Sequence, residues 1–464
     1  MLFQSQVFVL VFLPLAVLVH RLRAHSPPWR EWSLLAASLV FYGWWDVRFV
    51  PLLLGQIGAT HALTLLHRRL PKRRWPLWTG IAINLASLGT FKYFNFVFLS
   101  AAATLGLHPE PFGIVLPIGI SFFSFQLVSY LIDRMRDDAP VYPLRRFALF
   151  VMFFPHLIAG PIVRHNELIP QFDLQPLRPG ADRRTGMGLV LFTIGFAKKV
   201  LLADRLADVI NPIFAGAAGG ATLSLGASWT AMLGFSLQIF LDFSAYTDMA
   251  IGIALLFGMT LPENFRRPYL ATDIQEFWRR WHMSLSRFLR DYVYIPLGGS
   301  RNGTAVYVAA SIATMALCGL WHGAGWMFVA WGLWHGIGLV ACRGWRSLGV
   351  TLPTPVGWVL TMAFVLAGWV MFRAPDPATF FSIAGSMMGL GPHTGGWGGI
   401  EGRTDILFEA VLPALFLPSS HEWLAFFKGN RPRAPLVVLT ALLAAYCVLV
   451  VGKGAPAEFI YFRF

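Results

Sequence analysis

The sequence predicts an all-α protein that crosses a membrane many times, and three observations support this prediction. Charged residues make up 13% of the 464 residues and apolar residues 56%, whereas a soluble domain carries about 25% charged residues. Apolar stretches of the length of a bilayer crossing recur along the chain. The run from Asn302 to Cys342 contains no Asp, Glu, Lys or Arg, and as a helix of about 60 Å it would be long enough for two crossings.

The apolar segments predict twelve crossing helices within a single membrane domain, residues 1–464. A further crossing within residues 378–420 stays open. The expected crossings lie near residues 5–20, 32–48, 49–67, 76–99, 113–132, 146–164, 186–203, 228–258, 304–321, 324–342, 356–373 and 435–452.

Basic residues between the first crossings predict the orientation of the chain. Val7–Val19 has no basic residue before it and no small-residue cleavage site after it, so we expect an uncleaved anchor whose N-terminus lies outside. The basic segments 67–74 and 133–146 should then be cytoplasmic, and 106–111 should be outside.

The net charge of +14 is explained by such basic loops and by attraction to anionic lipid headgroups. No nucleic-acid-binding module is recognisable.

The three cysteines form no disulfide or metal-binding pattern. Cys318 precedes His322 by one helical turn, and we favour a packing role over a catalytic thiol. Lys198 and Lys199, with Asp204 close by, are expected to be charges that snorkel to the membrane interface.

The largest polar interruption lies between residues 260 and 302. Asp273–Arg290 shows helical spacing of its apolar side chains, with Thr272 or Asp273 as the cap. Its arginines form a basic face. We therefore predict one re-entrant or interfacial helix here, and we expect residues 260–342 to hold both this helix and the catalytic histidine.

His322 lies inside the uncharged run, next to Gly319 and Gly323. An ionisable residue within a membrane segment is a functional candidate. Burial favours the neutral imidazole, which can act as a base, and glycines allow a substrate to approach the backbone. The alternative is a core histidine that bridges two helices.

Motifs along most of the chain, except residues 345–430, resemble the membrane-bound O-acyltransferase (MBOAT) superfamily. The similarity is greatest to the branch that includes the membrane subunit of bacterial alginate O-acetylation. The matching segments are Ser38–Trp45, Leu116–Phe122, Phe154–Pro161, Asp242–Ala250, Glu263–Tyr269, Glu276–Ser286, Leu289–Gly299, Gly319–Gly323 and Phe459–Phe464.

The resemblance implies about 11 to 13 tilted helices in a ring around a central tunnel. It also implies that an acetyl group passes from a cytoplasmic donor, expected to be acetyl-CoA, across the bacterial inner membrane to an exopolysaccharide. Periplasmic esterase-like acetyltransferases would be the protein partners, and the polysaccharide would be reached indirectly. No bound cofactor or metal is implied.

In the resembling family, the catalytic histidine corresponds to His322 and a second polar position to His282. His282 would orient the donor, polarise the thioester carbonyl or only cap a helix. Arg279 and Arg280 would contact donor phosphates or, equally, lipid headgroups.

Further candidates for donor binding are Asn264, Trp321 and Asp242. We expect Asp242 to hold the core together by hydrogen bonds, with direct catalysis as the alternative. Tyr461 resembles a tyrosine proposed as an acyl relay, and its alternative role is an aromatic anchor at the membrane interface. We expect His335 to be structural.

Two other functions stay open at the level of sequence. One is transfer of D-alanyl or another acyl group to a cell-wall polymer such as teichoic acid, peptidoglycan or cellulose. The other is a transporter that moves an acyl carrier without bond chemistry, although the chain shows no inverted repeat.

Overall fold

Every regular element in the described part of the chain is a helix. The computed structural model describes residues 1–22, 24–391, 405–427, 434–452 and 459–460. The prediction of an all-α, multi-pass membrane protein is confirmed.

The first half of the chain forms eleven α-helices within the described residues. They are α1 (Leu13–Leu22), α2 (Pro27–Gly43), α3 (Val50–Arg69), α4 (Trp75–Leu88), α5 (Phe94–Thr104), α6 (Ile120–Met135), α7 (Leu144–Met152), α8 (Phe154–Leu157), α9 (His165–Leu168), α10 (Ala181–Ala197) and α11 (Asp204–Ala218).

The second half contains the longest helix. Its elements are α12 (Leu225–Leu256), α13 (Ile274–Arg280), α14 (Met283–Leu289), α15 (Thr304–His322), α16 (Trp326–Ser347), α17 (Thr354–Arg373), α18 (Pro377–Met387), α19 (Asp405–Phe416), α20 (Ser420–Phe427) and α21 (Ala434–Val451).

Wider and tighter helical turns extend several of these helices. The π-helical turns are Phe8–Phe12, Gly89–Tyr93, Lys198–Ala203 and Arg290–Tyr294. The 3₁₀ turns are Val47–Phe49, Ile169–Asp173 and Pro268–Leu270.

Six helical segments of the described chain are long and apolar enough to cross a membrane. Each corresponds to one of the twelve predicted crossings, and the other predicted crossings meet shorter or less apolar helices. A total of 11 to 13 crossings stays a prediction. The six are Val47–Arg69, Ala181–Ala218, Leu225–Leu256, Thr304–His322, Thr354–Arg373 and Ala434–Val451.

The chain divides into two compact units, and the single domain predicted from sequence stays a prediction. The first unit is Met1–Thr193, Thr247–Pro262 and Gly429–Pro456, and the second is Ile194–Tyr246, Glu263–Lys428 and Ala457–Phe464.

The first unit contains an ion-pair network around one buried carboxylate. The carboxylate of Glu31 on α2 is buried and contacts Arg145 and Arg146 of α7, with 3.0 Å to Nε of Arg146. Arg146 also pairs with Asp173, which follows α9. One buried carboxylate thus ties α2 to α7, and its two arginine partners supply the compensation that a buried charge needs.

One predicted crossing of the first unit, residues 146–164, is wrong as a single helix. The helix α7 ends at Met152 and α8 covers only four residues. The nine residues of α7 extend about 14 Å, which is less than half of the thickness of a bilayer core. Phe153, with φ −52° and ψ 103°, leaves the helical region between the two helices. Pro155 has no backbone N–H to donate to the carbonyl of Val151, so the α7 hydrogen-bond pattern cannot continue through it.

In the second unit, α15 and α16 form a hairpin in which the two backbones touch. A Cβ atom on Gly319 would lie 2.0 Å from the carbonyl oxygen of Phe328, and one on Gly332 would lie 2.2 Å from that of Met315. Only glycine, which lacks a Cβ, permits this approach. The close packing of the hairpin therefore fixes the position of the C-terminal end of α15 relative to α16, and His322 lies at that end.

The predicted single helix Asp273–Arg290 is also wrong, because it breaks at Trp281 and His282. Asp273 caps α13 as expected, its Oδ1 accepting from the backbone N–H of Glu276 at 2.8 Å. Trp281 is extended and His282 has φ 43° and ψ 53°, the left-handed region. A left-handed histidine is uncommon and ends the helix.

Candidate active site

The break at His282 is stabilised from a distant segment. Asn264 accepts hydrogen bonds with its backbone oxygen from the N–H of Met283 at 2.9 Å and with Oδ1 from the N–H of Ser284 at 3.1 Å. The hydroxyl of Ser284 donates to the same Oδ1 at 2.9 Å. Asn264 therefore caps the free N–H groups at the start of α14.

The same amide oxygen determines the tautomer of His282. Nδ1 of His282 lies 3.2 Å from Oδ1 of Asn264. Because the backbone N–H of Ser284 donates to this oxygen, the atom is an acceptor, and Nδ1 of the ring must carry the proton. The lone pair of the neutral ring therefore lies on Nε2, which has no hydrogen-bond partner within the described residues.

His282 is fully buried and lies outside the spanning helices. Burial lowers the pKa of its imidazole to about 3, because the charged form loses its hydration. The ring is thus neutral at every physiological pH. A neutral ring with Nδ1–H already donated accepts hydrogen bonds at Nε2 and has no N–H left for a carbonyl oxygen.

His322 is the last residue of α15 and is buried. Its ring centroid lies 6.4 Å from that of His282. Aromatic rings from three helices surround it, and all meet it nearly edge to face: Trp321 at 4.9 Å, Trp331 of α16 at 5.1 Å and Phe372 of α17 at 5.2 Å. Such a cage holds the imidazole in one place and limits access of water.

The glycines beside His322 serve packing rather than an open approach. A Cβ on Gly323 would lie 2.1 Å from the Phe328 ring, and Gly319 meets the Phe328 carbonyl. The expectation that these glycines leave room for a substrate at the backbone is therefore wrong, because side chains already fill that room.

The match to known proteins covers most of the chain. The model of the MBOAT, membrane-bound O-acyltransferase family matches residues 70–381. The chain belongs to this family. It is an O-acyltransferase, and the predicted resemblance to the alginate O-acetylase branch is confirmed by its relatives.

Three relatives of this MBOAT protein illustrate the range of named activities. A peptidoglycan O-acetyltransferase of Helicobacter pylori is 38% identical over 425 residues, which cover 84% of this chain and 80% of that protein. A probable alginate O-acetylase of Pseudomonas putida is 41% identical over 412 residues, covering 84% and 81%. A teichoic acid D-alanyltransferase of Streptococcus thermophilus is 31% identical over 240 residues, covering 49% and 57%.

Four of the residues predicted for the site of this MBOAT protein come together. His322, His282, Asn264 and Trp321 form one buried cluster, in which the Trp321 ring lies 5.7 Å from that of His282. The Nδ2 nitrogen of Asn264 is also buried, and it has no hydrogen-bond partner among the described residues. The cluster therefore offers both a donor, Nδ2, and an acceptor, Nε2 of His282.

The two arginines lie elsewhere on α13. Arg279 is exposed, and Arg280 pairs with Glu276 one turn earlier, Nη2 to Oε1 at 2.5 Å. Glu276 in turn accepts from Thr272. Contact of these arginines with a donor or with lipid headgroups stays a prediction. Tyr461 lies outside the described residues.

Both carboxylate oxygens of Asp242 already interact with other residues of the protein. Its Oδ1 lies 2.9 Å from Nζ of Lys199, and its Oδ2 accepts from the backbone N–H of Ile460 at 2.8 Å. Lys199 also contacts Asp204 at 2.8 Å and is only 3% exposed. The predicted snorkelling of Lys199 is therefore wrong, and these bonds favour the core-holding interpretation of Asp242.

His335 is buried and accepts a hydrogen bond at Nδ1 from Nε1 of Trp278 at 3.3 Å. This contact joins α13 to α16. Within the described residues, no three His, Cys, Asp or Glu side chains group as metal ligands.

Sequence reasoning missed Trp331, Phe372, Ser284 and Lys199 as parts of the site or its support. For Lys199 the available signal was the presence of Asp242 in another apolar segment, because a charged side chain within a membrane segment is usually paired with an opposite charge.

Proposed function

We propose that this protein moves an acetyl group from acetyl-CoA at the cytoplasmic face across the bacterial inner membrane, for O-acetylation of an exopolysaccharide such as alginate. The observation that carries the proposal is the buried pair of imidazoles, His322 and His282, 6.4 Å apart inside an aromatic cage. Relatives about 40% identical over most of the chain are named probable alginate O-acetylases, which supports the choice of reaction.

His322 is the base in this proposal. It takes the proton from the hydroxyl of a first acceptor, which later passes the acetyl group to the partner enzymes, while the hydroxyl oxygen forms a bond to the thioester carbonyl carbon. The C–S bond then breaks, and the proton passes to the leaving thiolate of CoA. The C-terminal end of α15 favours positive charge at its last residue, so it stabilises the imidazolium formed midway. Such proton transfer contributes about 10²–10⁴-fold to the rate.

His282 and Asn264 orient the donor in this proposal. Because neutral His282 accepts hydrogen bonds only, it suits an amide N–H of the pantetheine arm of acetyl-CoA. The Nδ2 amide of Asn264 is the complementary donor and suits a carbonyl oxygen. Polarisation of the thioester carbonyl is accordingly assigned to Asn264, since His282 has no N–H for it.

The multi-pass chain would then lie in the inner membrane with its N-terminus periplasmic. The basic segment between α3 and α4 supports a cytoplasmic position for that end of the helices. The acetyl group would be handed to periplasmic esterase-like acetyltransferases, which act on the polymer.

O-acetylation of peptidoglycan is the second candidate. The relative named peptidoglycan O-acetyltransferase, aligned over 84% of this chain, favours it. Both candidates end with an acetyl ester on a sugar hydroxyl, and in both His322 would act on the first acceptor, before the partner enzymes transfer the acetyl group to the polymer.

The test uses purified protein in liposomes, with acetyl-labelled CoA inside and a periplasmic esterase-like acetyltransferase and an acceptor glycan outside. We expect free CoA and labelled ester to form together, and His322→Ala to lower both by at least 10²-fold. His108→Ala, in an exposed loop, is the control. Label that crosses the membrane with its thioester intact would instead identify a transporter. Comparing alginate with peptidoglycan fragments as acceptors separates the two candidates.

A further inference from the structure

A second buried cluster in the same unit holds the end of the described chain. Ile460 donates its backbone N–H to Oδ2 of Asp242, a residue 218 positions earlier, at 2.8 Å. Phe459 and Ile460 are both buried. Near its end the chain is therefore fixed in the interior by a charged acceptor.

The carboxylate that accepts this bond is itself fixed by a buried cation. Lys199 contacts Asp242 at 2.9 Å and Asp204 at 2.8 Å, so one ammonium faces two carboxylates. The cluster of these three residues carries one negative charge more than positive. The N–H of Ile460 supplies a further donor to it, which a buried carboxylate requires.

The local backbone explains how Lys199 reaches Asp242. Residues Lys198–Ala203 form a π-helical turn, which is wider than an α-helical turn. On the same turn Lys198 donates to the hydroxyl of Ser244 at 2.9 Å. Two consecutive lysines are thus both directed at α12. Such π turns are rare and frequently occur at functional sites.

The anchored segment is joined to the active site by packed rings. The Phe459 ring lies 4.9 Å from that of Tyr246 and 5.7 Å from that of Phe243. The Phe243 ring meets the imidazole of His282 edge to face at 4.7 Å. One aromatic side chain therefore separates the anchored segment from the imidazole that orients the donor.

We propose that Asp242 and Lys199 are positioning residues, which hold the Phe459–Ile460 segment against Phe243 and so complete the wall of the active site beside His282. The proposal rests on the proposed acyl transfer. Without the anchor, the segment leaves this wall, Phe243 loses its support, and the donor is held less well.

The first measurement follows the segment itself and needs no catalysis. Full-length protein in detergent is digested with carboxypeptidase, and mass spectrometry reads the final residue. We expect wild type to be trimmed no further than Ile460 and Asp242→Leu to be trimmed past Phe459. Asp242→Asn keeps an oxygen acceptor, so its trimming should stop near the wild-type position.

The second measurement is the kinetics of acetyl transfer. We expect Asp242→Leu to raise the KM for acetyl-CoA at least tenfold, and Asp242→Asn to raise it less. A chain that ends at residue 458 leaves Lys199 and Asp242 in place and should show the same rise in KM, even if Asp242→Leu fails to fold; a chain that ends at residue 460 lacks Tyr461 as well and is its matched control. A role in folding alone would lower the amount of active enzyme and leave KM unchanged.

The proposal is overturned if Asp242→Leu leaves the segment protected, or if the shortened chain binds acetyl-CoA as wild type does. His322→Ala separates this result from the proposed reaction. In that variant the segment should stay protected while transfer is lost. Normal transfer by His322→Ala would refute the assignment of the base and leave the anchor as it stands.

Discussion

Oδ1 of Asn264 lies 3.2 Å from Nδ1 of His282, and this one contact sets the chemistry of the second imidazole. It places the proton on Nδ1 and the lone pair on Nε2. The same oxygen accepts from Ser284 and keeps α14 separate from α13. A break in a helix and the tautomer of a ring thus depend on a single side-chain amide.

Removal of this amide should impair both stability and transfer. In Asn264→Leu the backbone N–H of Ser284 and the ring Nδ1–H of His282 lose their acceptor. We expect about 1–3 kcal/mol of destabilisation for each of these buried donors. The donor would be misplaced, and transfer should fall about 10²-fold. Thermal unfolding in detergent and the rate of CoA release check this. Asn302→Leu, on the exposed loop before α15, should change neither.

The pH dependence of stability should reveal the buried neutral state of His282. Its pKa is about 3 when folded and about 6.5 when unfolded, so the unfolded chain binds more protons between these values. The stabilisation is complete above pH 6.5 and is lost as the pH falls towards 3. At pH 5 the loss is about 2 kcal/mol.

His282→Asn is the matched variant for this measurement, because asparagine tolerates a positive φ and does not titrate. Between pH 7.5 and 5, the unfolding free energy of wild type should fall by about 2 kcal/mol more than that of the variant. Parallel curves for the two proteins would contradict a pKa of about 3 for this ring.

Two glycines on α16 give a direct test of the close hairpin. In Gly332→Ala the new methyl group would lie 2.2 Å from the Met315 carbonyl. The backbones must separate, which should cost about 1–3 kcal/mol and displace His322. Gly344→Ala, on the same helix with no atom within 4 Å, should instead stabilise the helix by up to about 1 kcal/mol.

The buried carboxylate of Glu31 predicts a stability effect in the first unit. Glu31→Gln removes the anion that Arg145 and Arg146 share, and since both arginines are partly exposed and Arg146 keeps Asp173, we expect about 1–2 kcal/mol of destabilisation. Denaturation in detergent measures it. Glu110→Gln, in an exposed loop, should leave the midpoint unchanged. Equal midpoints for both variants would show that the network contributes no net stability.

The sequence was sufficient for the fold class and for His322 as the candidate base, because both follow from local patterns. An uncharged run of 41 residues predicts membrane helices, and an imidazole within it stands out. The cage around the ring was not predictable in this way. Phe372 lies 50 positions further along, and only the packing of α17 brings it to His322.

The break at Trp281 and His282 shows the same limit. The apolar spacing favours a continuous helix, and the segment contains no glycine or proline to interrupt it. Asn264 takes up the N–H groups of Met283 and Ser284, so a contact across 20 residues overrides local preference. Lys199 was misjudged for a related reason, since its two carboxylate partners become visible only when the helices are packed.

The direct contact between the backbones of α15 and α16 has a consequence for motion during turnover. Gly319 and Gly332 leave no flexible side chain between the two helices that could absorb a change in their spacing. A conformational change that admits a substrate to His322 must therefore leave the hairpin intact. The adjustment falls instead on the side chains around the His322 ring, among them Phe372 of α17, which also packs against Phe328 and Trp331 of α16.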